Sequence, residues 1–222
     1  MIEELHNKLA RQIDISCVQA FHTRDEIDQM ITFAKEERFA CVFTLPAYTE
    51  YAVKMLRNDK DIHVGGVVSF PGGGDTISIK GRQAYELREM GCDEIDMVMN
   101  ISALLSGEYQ YVIEDIQQVV EKSCEVPVKV IVEAPSLSEK QLRKAVDLCI
   151  SSGANFVKTS TGWYSKPTLL EHIQIMHSQA QGRIKLKAAG GIRTWDTIIA
   201  MRNAGCDRFG ISLKSSLSLY NK

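Results

Sequence analysis

Lys158 is the residue whose surroundings most directly suggest a chemical role. It follows Phe156 and Val157 in a short apolar segment and precedes the polar turn Thr159-Ser-Thr-Gly162. An amine that burial keeps neutral can attack a carbonyl carbon and form a Schiff base. Alternatively, the aliphatic stem of Lys158 packs while its ammonium reaches water. The spacing alone leaves both interpretations open.

Two further lysines lie in the apolar segment that comes next along the chain, residues 184–189. Lys185 and Lys187 have the same parity in that segment, so in a strand both would face one side. If that side is interior, a cation beside Lys158 would lower its pKa, because protonating both amines is repulsive. Two ordinary lysines on a solvated edge are the alternative. Parity does not say which of the two would act.

An acidic residue, Asp96, interrupts the apolar run at residues 94–99. A carboxylate there could balance the lysine charges and relay protons through a water molecule. A purely structural ion pair is the alternative interpretation. Asp96 is therefore the candidate acid–base partner of the lysines.

Glycines follow three of the apolar segments, at Gly162, at Gly190-Gly191 and at Gly210, with Ser212 close behind the last. Free backbone amides at such turns often hold a phosphate group, helped by a following helix N-terminus. Metal binding is not expected, because the histidines show no ligand spacing such as H-x-x-x-H. No dinucleotide-binding, P-loop or G-x-S-x-G motif is present either.

The elements that must position these residues alternate along the chain. Eight short segments rich in Val, Ile and Phe predict strands at residues 13–18, 40–45, 64–70, 94–99, 128–133, 156–161, 184–189 and 208–212. Helices are predicted over residues 24–37, 47–58, 77–90, 108–122, 139–153, 168–181 and 195–205, with Thr23, Ser138 and Thr194 as caps. A last helix is expected after Ser212. A repeated pattern of glycine, short turn and strand follows three of these helices.

This alternation predicts an α/β protein, a single (β/α)8 TIM barrel over residues 1–222 with a short N-terminal helix. An open doubly wound sheet is the alternative fold. The chain has 222 residues, 45% of them hydrophobic and 24% charged, as in ordinary globular domains. In such a barrel the active site lies at the C-terminal ends of the strands, where Lys158, Lys187 and Asp96 would meet.

The net charge of −2 gives no reason to expect nucleic acid or a membrane surface as a partner. The start of the chain lacks the apolar run of a signal peptide, and no segment is apolar for long enough to cross a membrane. The six scattered cysteines are interpreted as reduced thiols of a cytoplasmic protein, with a disulfide framework as the alternative.

Three segments together resemble the 2-deoxyribose-5-phosphate aldolase family. They are Phe156-Val-Lys-Thr-Ser-Thr-Gly162, Lys187-Ala-Ala-Gly-Gly-Ile-Arg-Thr194 and Asp93-Glu-Ile-Asp-Met-Val-Met-Asn100. The resemblance runs from about residue 64 to residue 212. It implies a (β/α)8 barrel and reversible cleavage of 2-deoxy-D-ribose 5-phosphate to acetaldehyde and D-glyceraldehyde 3-phosphate, without metal or other cofactor.

Carried over by position, Lys158 resembles the Schiff-base lysine, Lys187 the lysine that lowers its pKa, and Asp96 the proton-relay aspartate. Lys187 is thereby preferred to Lys185. Gly162, Gly190, Gly191, Gly210 and Ser212 fall on phosphate-contacting positions of the family. The partners implied are small aldehydes and sugar phosphates, together with further copies of the chain in a homodimer or a higher homo-oligomer.

The sequence departs from the family pattern at four pocket positions. Ser16 stands where a threonine is usual, Phe43 where a cysteine is common, Trp163 where some members have lysine, and Leu213 where a second serine is frequent. Another deoxy sugar is therefore an alternative substrate. A sugar-phosphate isomerase or epimerase using Asp96 or Glu133 as base, and a non-catalytic binding protein, are alternatives of other classes.

The C-terminal tail, residues 216–222, offers two interpretations. Its Tyr220 could close over the site, or the tail could simply cap the barrel.

Overall fold

Eight parallel strands close into a barrel in which each strand pairs with its sequence neighbours and β1 pairs with β8. The structure is a computed structural model that describes His6 and residues 8–221. The strands are β1 Ile13–Cys17, β2 Cys41–Thr44, β3 His63–Val68, β4 Glu94–Val98, β5 Val128–Ile131, β6 Phe156–Lys158, β7 Lys185–Ala189 and β8 Arg208–Ser212. The closed order confirms the predicted (β/α)8 barrel, and the open doubly wound alternative is wrong.

Helices follow the strands and form the outer layer. They are α1 Arg24–Glu37, α2 Pro46–Leu56, α3 Ile77–Glu89, α4 Ile101–Leu105, α5 Tyr109–Ser123, α6 Glu139–Ser151, α7 Leu170–Ala180, α8 Trp195–Asn203 and α9 Leu213–Leu219. The capping boxes predicted at Thr23 and Ser138 are present, and Thr194 accepts a hydrogen bond from the Thr197 amide. Within the described residues, no helix is both long and apolar enough to span a membrane.

Several predicted strands were too long at their C-terminal ends. The prediction of residues 156–161 compares with β6 at Phe156–Lys158, and residues 128–133 with β5 at Val128–Ile131. After β5 the backbone turns at Glu133, whose φ is +51°, and after β6 a polar side chain joins the backbone pairing. Thr159 Oγ1 accepts from the Ala189 amide at 2.9 Å and donates to the Ala189 carbonyl at 3.0 Å.

The sequence predicts a short N-terminal helix and leaves open the position of Tyr220 near the C-terminus. The predicted N-terminal helix falls largely outside the described residues, although residues 8–10 are helical. At the other end, Tyr220 packs edge-on against the rings of Phe33, Phe39 and Trp195, with centroid distances of 5.3 to 5.7 Å. Tyr220 therefore lies in the helical layer and not over the mouth of the barrel.

The hydrophobic core lies between the strands and the helices, where residues such as Ile15, Val130 and Phe209 are fully excluded from water. The barrel interior is different, because charged side chains fill much of it: Asp14, Glu94, Asp96, Lys129, Lys158 and Lys187 are all buried. Buried charges are tolerated only where they are paired. The sequence therefore builds an ionic interior within an apolar shell.

Candidate active site

A cleft of about 480 Å³ opens at the C-terminal ends of the strands. Because all eight strand pairs are parallel, the residues that end the strands share this face. The cleft is lined by every residue predicted to take part in function: Asp96, Lys158, Gly162, Lys187, Gly190, Gly191, Gly210 and Ser212. The structure thus brings the two lysine segments and the aspartate segment together.

Lys158 and Lys187 lie directly opposite each other in the register of β6 and β7. Both point into the barrel and donate to the same oxygen, Asp96 Oδ2, at 2.8 Å from Lys158 and 2.7 Å from Lys187. Lys187 also forms an ion pair with Asp14 Oδ2 at 2.6 Å. One carboxylate oxygen therefore links the two amines.

Burial lowers the pKa of the Lys158 ammonium to about 8, Asp96 opposes this shift, and repulsion from Lys187 adds to it. Burial by itself would raise the pKa of the Asp96 carboxyl, but Lys158, Lys187 and Lys129 hold it well below its usual range. At neutral pH the arrangement is thus a carboxylate beside an amine that loses its proton easily. Such an amine is a suitable nucleophile toward a carbonyl group.

Lys185 lies at the other end of β7. Its side chain is exposed, and its Nζ lies 5.5 Å from the centroid of the Phe156 ring. Parity left open whether Lys185 or Lys187 would act. Lys187 lies two residues nearer the C-terminal end of β7 and lines the cleft, so Lys187 is the one that can act there. Lys185 takes no part in the charge cluster with Asp96.

Asp14 belongs to the site and sequence reasoning missed it. It lies inside the barrel on β1, is almost fully buried, and pairs with Lys187 and Arg208. The available signal was the same as for Asp96, a carboxylate within an apolar strand. The ion pair between Asp14 and Lys187 forms only because β1 pairs with β8 and closes the barrel. That closure cannot be read from the sequence.

Below this level the interior charges continue toward the N-terminal ends of the strands. Lys129 pairs with Glu94, and Arg208 bridges Glu94 and Asp14. Asp14, Cys41 and Glu94 lie close enough to share a metal ion. That donor set does not suit a cation, because the carboxylates are already paired and burial raises the pKa of the Cys41 thiol well above its usual value.

The loop after β6 is held by Glu133, whose Oε2 accepts from the Thr161 amide at 3.0 Å and from Thr161 Oγ1 at 2.8 Å. The Trp163 amide then donates to Thr161 Oγ1 at 3.2 Å. Glu133 is therefore occupied in shaping this loop. This weakens the alternative in which it acts as the base of an isomerase.

The glycines at the mouth are required by backbone geometry. Gly190 and Gly191 have φ values of +90° and +80°, and a side chain at either would collide with Ser160 or Pro167 respectively. The Gly190 carbonyl accepts a hydrogen bond from the Thr168 amide at 3.0 Å. These close approaches bring the loops after β6 and β7 together at one edge of the cleft.

The predicted Ser212 lines that same edge together with two cations that sequence reasoning did not assign. Arg193 and Lys214 are exposed there, and within the described residues neither forms an ion pair. Ser212 Oγ caps α9 by accepting from the Ser215 amide at 3.3 Å and donates to Ser215 Oγ at 3.1 Å. This side of the cleft offers positive charge and hydrogen-bond donors to an anion.

The four positions that depart from the family pattern have definite places. Ser16 Oγ donates to the Ile211 carbonyl at 3.4 Å, and Leu213 is buried in the core. Trp163 Nε1 donates to the Val18 carbonyl at 3.1 Å, which joins the loops after β6 and β1. Phe43 lies inside the barrel and lines the cleft. Only Ser16 and Phe43 of these four face the cleft itself.

The model of the DeoC/LacD family aldolases matches residues 13–207 of the chain. The chain belongs to this family. The match includes all strands up to β7 and both lysine segments, so it spans the cluster formed by Asp96, Lys158 and Lys187.

Individual relatives agree with the family match. A deoxyribose-phosphate aldolase of Klebsiella pneumoniae is 38% identical over 213 residues, covering 95% of this chain and 86% of that protein. A solved structure described as QR15, an aldolase, is 35% identical with a TM-score of 0.90, covering 96% of this chain and 94% of that one. A tetrameric deoxyribose phosphate aldolase from Aeropyrum pernix is 29% identical with a TM-score of 0.86, covering 97% and 90% of the two chains.

Proposed function

We propose that the protein is a class I aldolase that reversibly cleaves 2-deoxy-D-ribose 5-phosphate to acetaldehyde and D-glyceraldehyde 3-phosphate. The observation that carries the proposal is Lys158, a buried amine with a pKa of about 8, held 2.8 Å from Asp96 beside a second ammonium. The relatives named deoxyribose-phosphate aldolase support the choice of substrate. The departures at Ser16 and Phe43 keep other deoxy sugars among the substrates to be tested.

In the cleavage direction, the neutral amine of Lys158 adds to the aldehyde carbon of the open-chain sugar, and loss of water gives an iminium ion. Removal of the proton from the C3 hydroxyl then breaks the C2–C3 bond and releases glyceraldehyde 3-phosphate. The electron pair of that bond remains on the enzyme-bound enamine. Protonation at C2 and hydrolysis release acetaldehyde and restore the lysine.

Asp96 and Lys187 serve these proton transfers. Asp96 remains a carboxylate, so it accepts hydrogen bonds and orients a water molecule that carries protons to and from the substrate. The charge of Lys187 repels the protonated form of Lys158 and so favours its neutral form. At the other side of the cleft, Gly162, Gly190, Gly191, Gly210 and Ser212 hold the phosphate group of the substrate.

The test combines activity with chemical trapping. Purified protein is incubated with 2-deoxyribose 5-phosphate, other 2-deoxy sugar phosphates and unphosphorylated 2-deoxyribose, and released aldehyde is measured. In parallel, acetaldehyde and borohydride are added, and peptide mass spectrometry locates the reduced adduct. We expect cleavage of deoxyribose 5-phosphate and an adduct on Lys158.

The matched variants are Lys158→Ala and Lys158→Arg, which remove the amine nucleophile with and without loss of the positive charge. Both are expected to abolish cleavage and trapping. A folded protein that forms no adduct on Lys158 would refute the proposal. Cleavage or isomerisation that survives in Lys158→Arg would favour a base-driven reaction without a covalent lysine.

We further propose that the protein acts in the cytoplasm as a homo-oligomer. All six cysteines are free thiols and five are buried, as suits a reducing compartment. The solved relative from Aeropyrum pernix is described as a tetramer. Sedimentation of the purified protein tests the assembly, and a purely monomeric species at working concentrations would refute it.

A further inference from the structure

The ring of Phe43 fills space inside the barrel that a side chain at position 65 would occupy, and residue 65 is a glycine. The two residues are paired in the register of β2 and β3, and a methyl group added at Gly65 would overlap the Phe43 ring. The ring is only 3% exposed, yet it lines the cleft. The presence of a large ring at position 43 therefore depends on the absence of a side chain at position 65.

The ring lies against the ammonium groups of the ionic interior. Lys187 Nζ is 4.1 Å from the centroid of the Phe43 ring, and Lys129 Nζ is 5.1 Å from it. Both distances are within the range in which the face of an aromatic ring attracts a cation. Lys187 Nζ also pairs with the carboxylates of Asp14 and Asp96, at 2.6 and 2.7 Å.

We propose that Phe43, seated over Gly65, is a positioning residue for Schiff-base formation: its ring covers the ammonium of Lys187 and keeps water away from the Lys187–Asp96–Lys158 cluster. The proposal rests on the proposed function, because it acts through the nucleophile assigned there. Phe43 touches no reacting atom in this scheme. It maintains the dry, positively charged surroundings in which the Lys158 amine becomes neutral.

The direction of the effect follows from the charges that surround the cluster. Titratable and charged groups face it from every strand of the barrel. They are Asp14 on β1, Cys41 on β2, His63 on β3 through its contact with Glu94, Glu94 and Asp96 on β4, Lys129 on β5, Lys158 on β6, Lys187 on β7 and Arg208 on β8. Burial is the largest cause of the lowered pKa of Lys158. Water admitted in place of the ring weakens that cause, so the pKa of Lys158 rises.

The test measures how the rate of acetaldehyde trapping on Lys158 depends on pH in the wild type and in Phe43→Leu. We expect the acid limb of Phe43→Leu to move upward by about half a unit to one unit. Trapping at about pH 7 then slows by about 3- to 10-fold, and the difference closes at about pH 10, where the amine is neutral in both proteins. A loss of rate that is equal at every pH would overturn the proposal.

Val67→Ala is the matched control, because Val67 packs in the same apolar cluster as Phe43. It opens a void without removing a ring that faces Lys187, so its acid limb should remain that of the wild type. An upward shift in Val67→Ala as large as that in Phe43→Leu would overturn a role specific to the ring. Thermal unfolding of each variant checks that the barrel is intact.

Gly65→Ala provides a second route to the same effect, since the added methyl group displaces the ring from its seat. We expect the upward shift of Phe43→Leu, and no further shift when both substitutions are combined. Independent, additive shifts would contradict the pairing of the two residues. If the wild type forms no adduct, the proposed function fails; if the wild type forms one and the acid limb of Phe43→Leu is unmoved, only this inference fails.

Discussion

At the scale of single residues, Lys158 is distinguished by the charge balance around it. Three buried carboxylates in the barrel interior meet three cations other than Lys158, and all six groups are paired within the described structure: Asp14, Glu94, Asp96, Lys129, Lys187 and Arg208. With these groups charged, the cluster is neutral when Lys158 is neutral. Lys158 is therefore the surplus cation, which agrees with the lowering of its pKa to about 8.

Removal of Lys187 should reverse this balance. In Lys187→Met two cations would face three carboxylates, so protonation of Lys158 would become favourable and its pKa would rise. We expect the acid limb of acetaldehyde trapping to move up by more than about one unit, and the rate at about pH 7 to fall more than about tenfold. Trapping by borohydride and mass spectrometry across the pH range measures both.

Lys185→Met is the matched control, because Lys185 lies two positions away on β7 with an exposed side chain. It should keep the pH profile of the wild type. An unmoved acid limb in Lys187→Met would show that burial alone sets the pKa of Lys158. The charge-balance argument would then be wrong.

The residues Lys158, Lys187 and Asp96 could be predicted because each places a charge within an apolar strand, which is visible in the sequence. The contact of the Phe43 ring with the Lys187 ammonium could not be predicted, because a phenylalanine in a strand is ordinarily a core residue. That contact depends on Gly65 in the next strand. Arg193 and Lys214 were not assigned either, because their side of the cleft is assembled by loops from distant parts of the chain.

At the scale of elements, α3 and α5 are joined by a buried ion pair as well as by apolar packing. Lys80 Nζ donates to Asp115 Oδ2 at 2.6 Å and to the Val98 carbonyl at 2.9 Å, and both side chains are fully buried. Burial lowers the pKa of Lys80 and raises that of Asp115, while their mutual attraction opposes both shifts. The pair ties two helices to the end of β4, the strand that carries Asp96.

Lys80→Met should therefore destabilise the fold, because it leaves the Asp115 carboxyl buried without its partner. We expect the free energy of unfolding to fall by about 3–5 kcal/mol, measured by urea denaturation followed by circular dichroism. The double variant Lys80→Met/Asp115→Leu should recover most of that loss, since no buried charge remains.

The control is Lys54→Met, which removes an exposed helical ion pair with Glu50 and should cost less than about 1 kcal/mol. A loss in Lys80→Met as small as that of Lys54→Met would show that the buried pair contributes no more than a surface pair. Failure of the double variant to recover would indicate that the aliphatic packing of Lys80, and not its charge, supports the helices.

Most elements could be predicted because the barrel repeats one simple pattern of apolar strand, cap and periodic helix. The exception is α4, Ile101–Leu105, which was not predicted. Five residues are too few to show a helical period. Its start is fixed by Asn100, whose side chain accepts from the Ala103 amide at 3.0 Å, a signal that also occurs in ordinary turns.

At the scale of the whole molecule, barrel closure gives the cleft two chemically different ends. The end formed by β4, β6 and β7 holds the amine–carboxylate cluster, whereas the loops after β7 and β8 supply glycine amides, Ser212 and exposed cations. The sequence predicts the parallel order of the strands but not the distance across the ring. That distance decides which residues can contact one substrate at the same time. The sequence alone therefore does not show that the amine–carboxylate cluster and the glycine amides face the same cleft.

This arrangement predicts that Lys214 acts on the phosphate end of the substrate alone. Lys214 lines the cleft, is exposed and has no ion pair within the described residues, so its ammonium is available to an anion. In Lys214→Ala we expect kcat/KM for 2-deoxyribose 5-phosphate to fall by about 3- to 10-fold, as for loss of one solvent-exposed charged contact. Cleavage of unphosphorylated 2-deoxyribose should be unchanged.

Lys166→Ala is the matched comparison, because Lys166 is an exposed lysine in the loop after β6 that does not line the cleft. It should leave both substrates unaffected, which separates a local contact from the general attraction of a positive charge near the mouth. Equal losses on the two substrates in Lys214→Ala would place the effect at the reacting end. Wild-type kcat/KM values for both substrates in Lys214→Ala would show that the glycine amides, Ser212 and Arg193 hold the phosphate without Lys214.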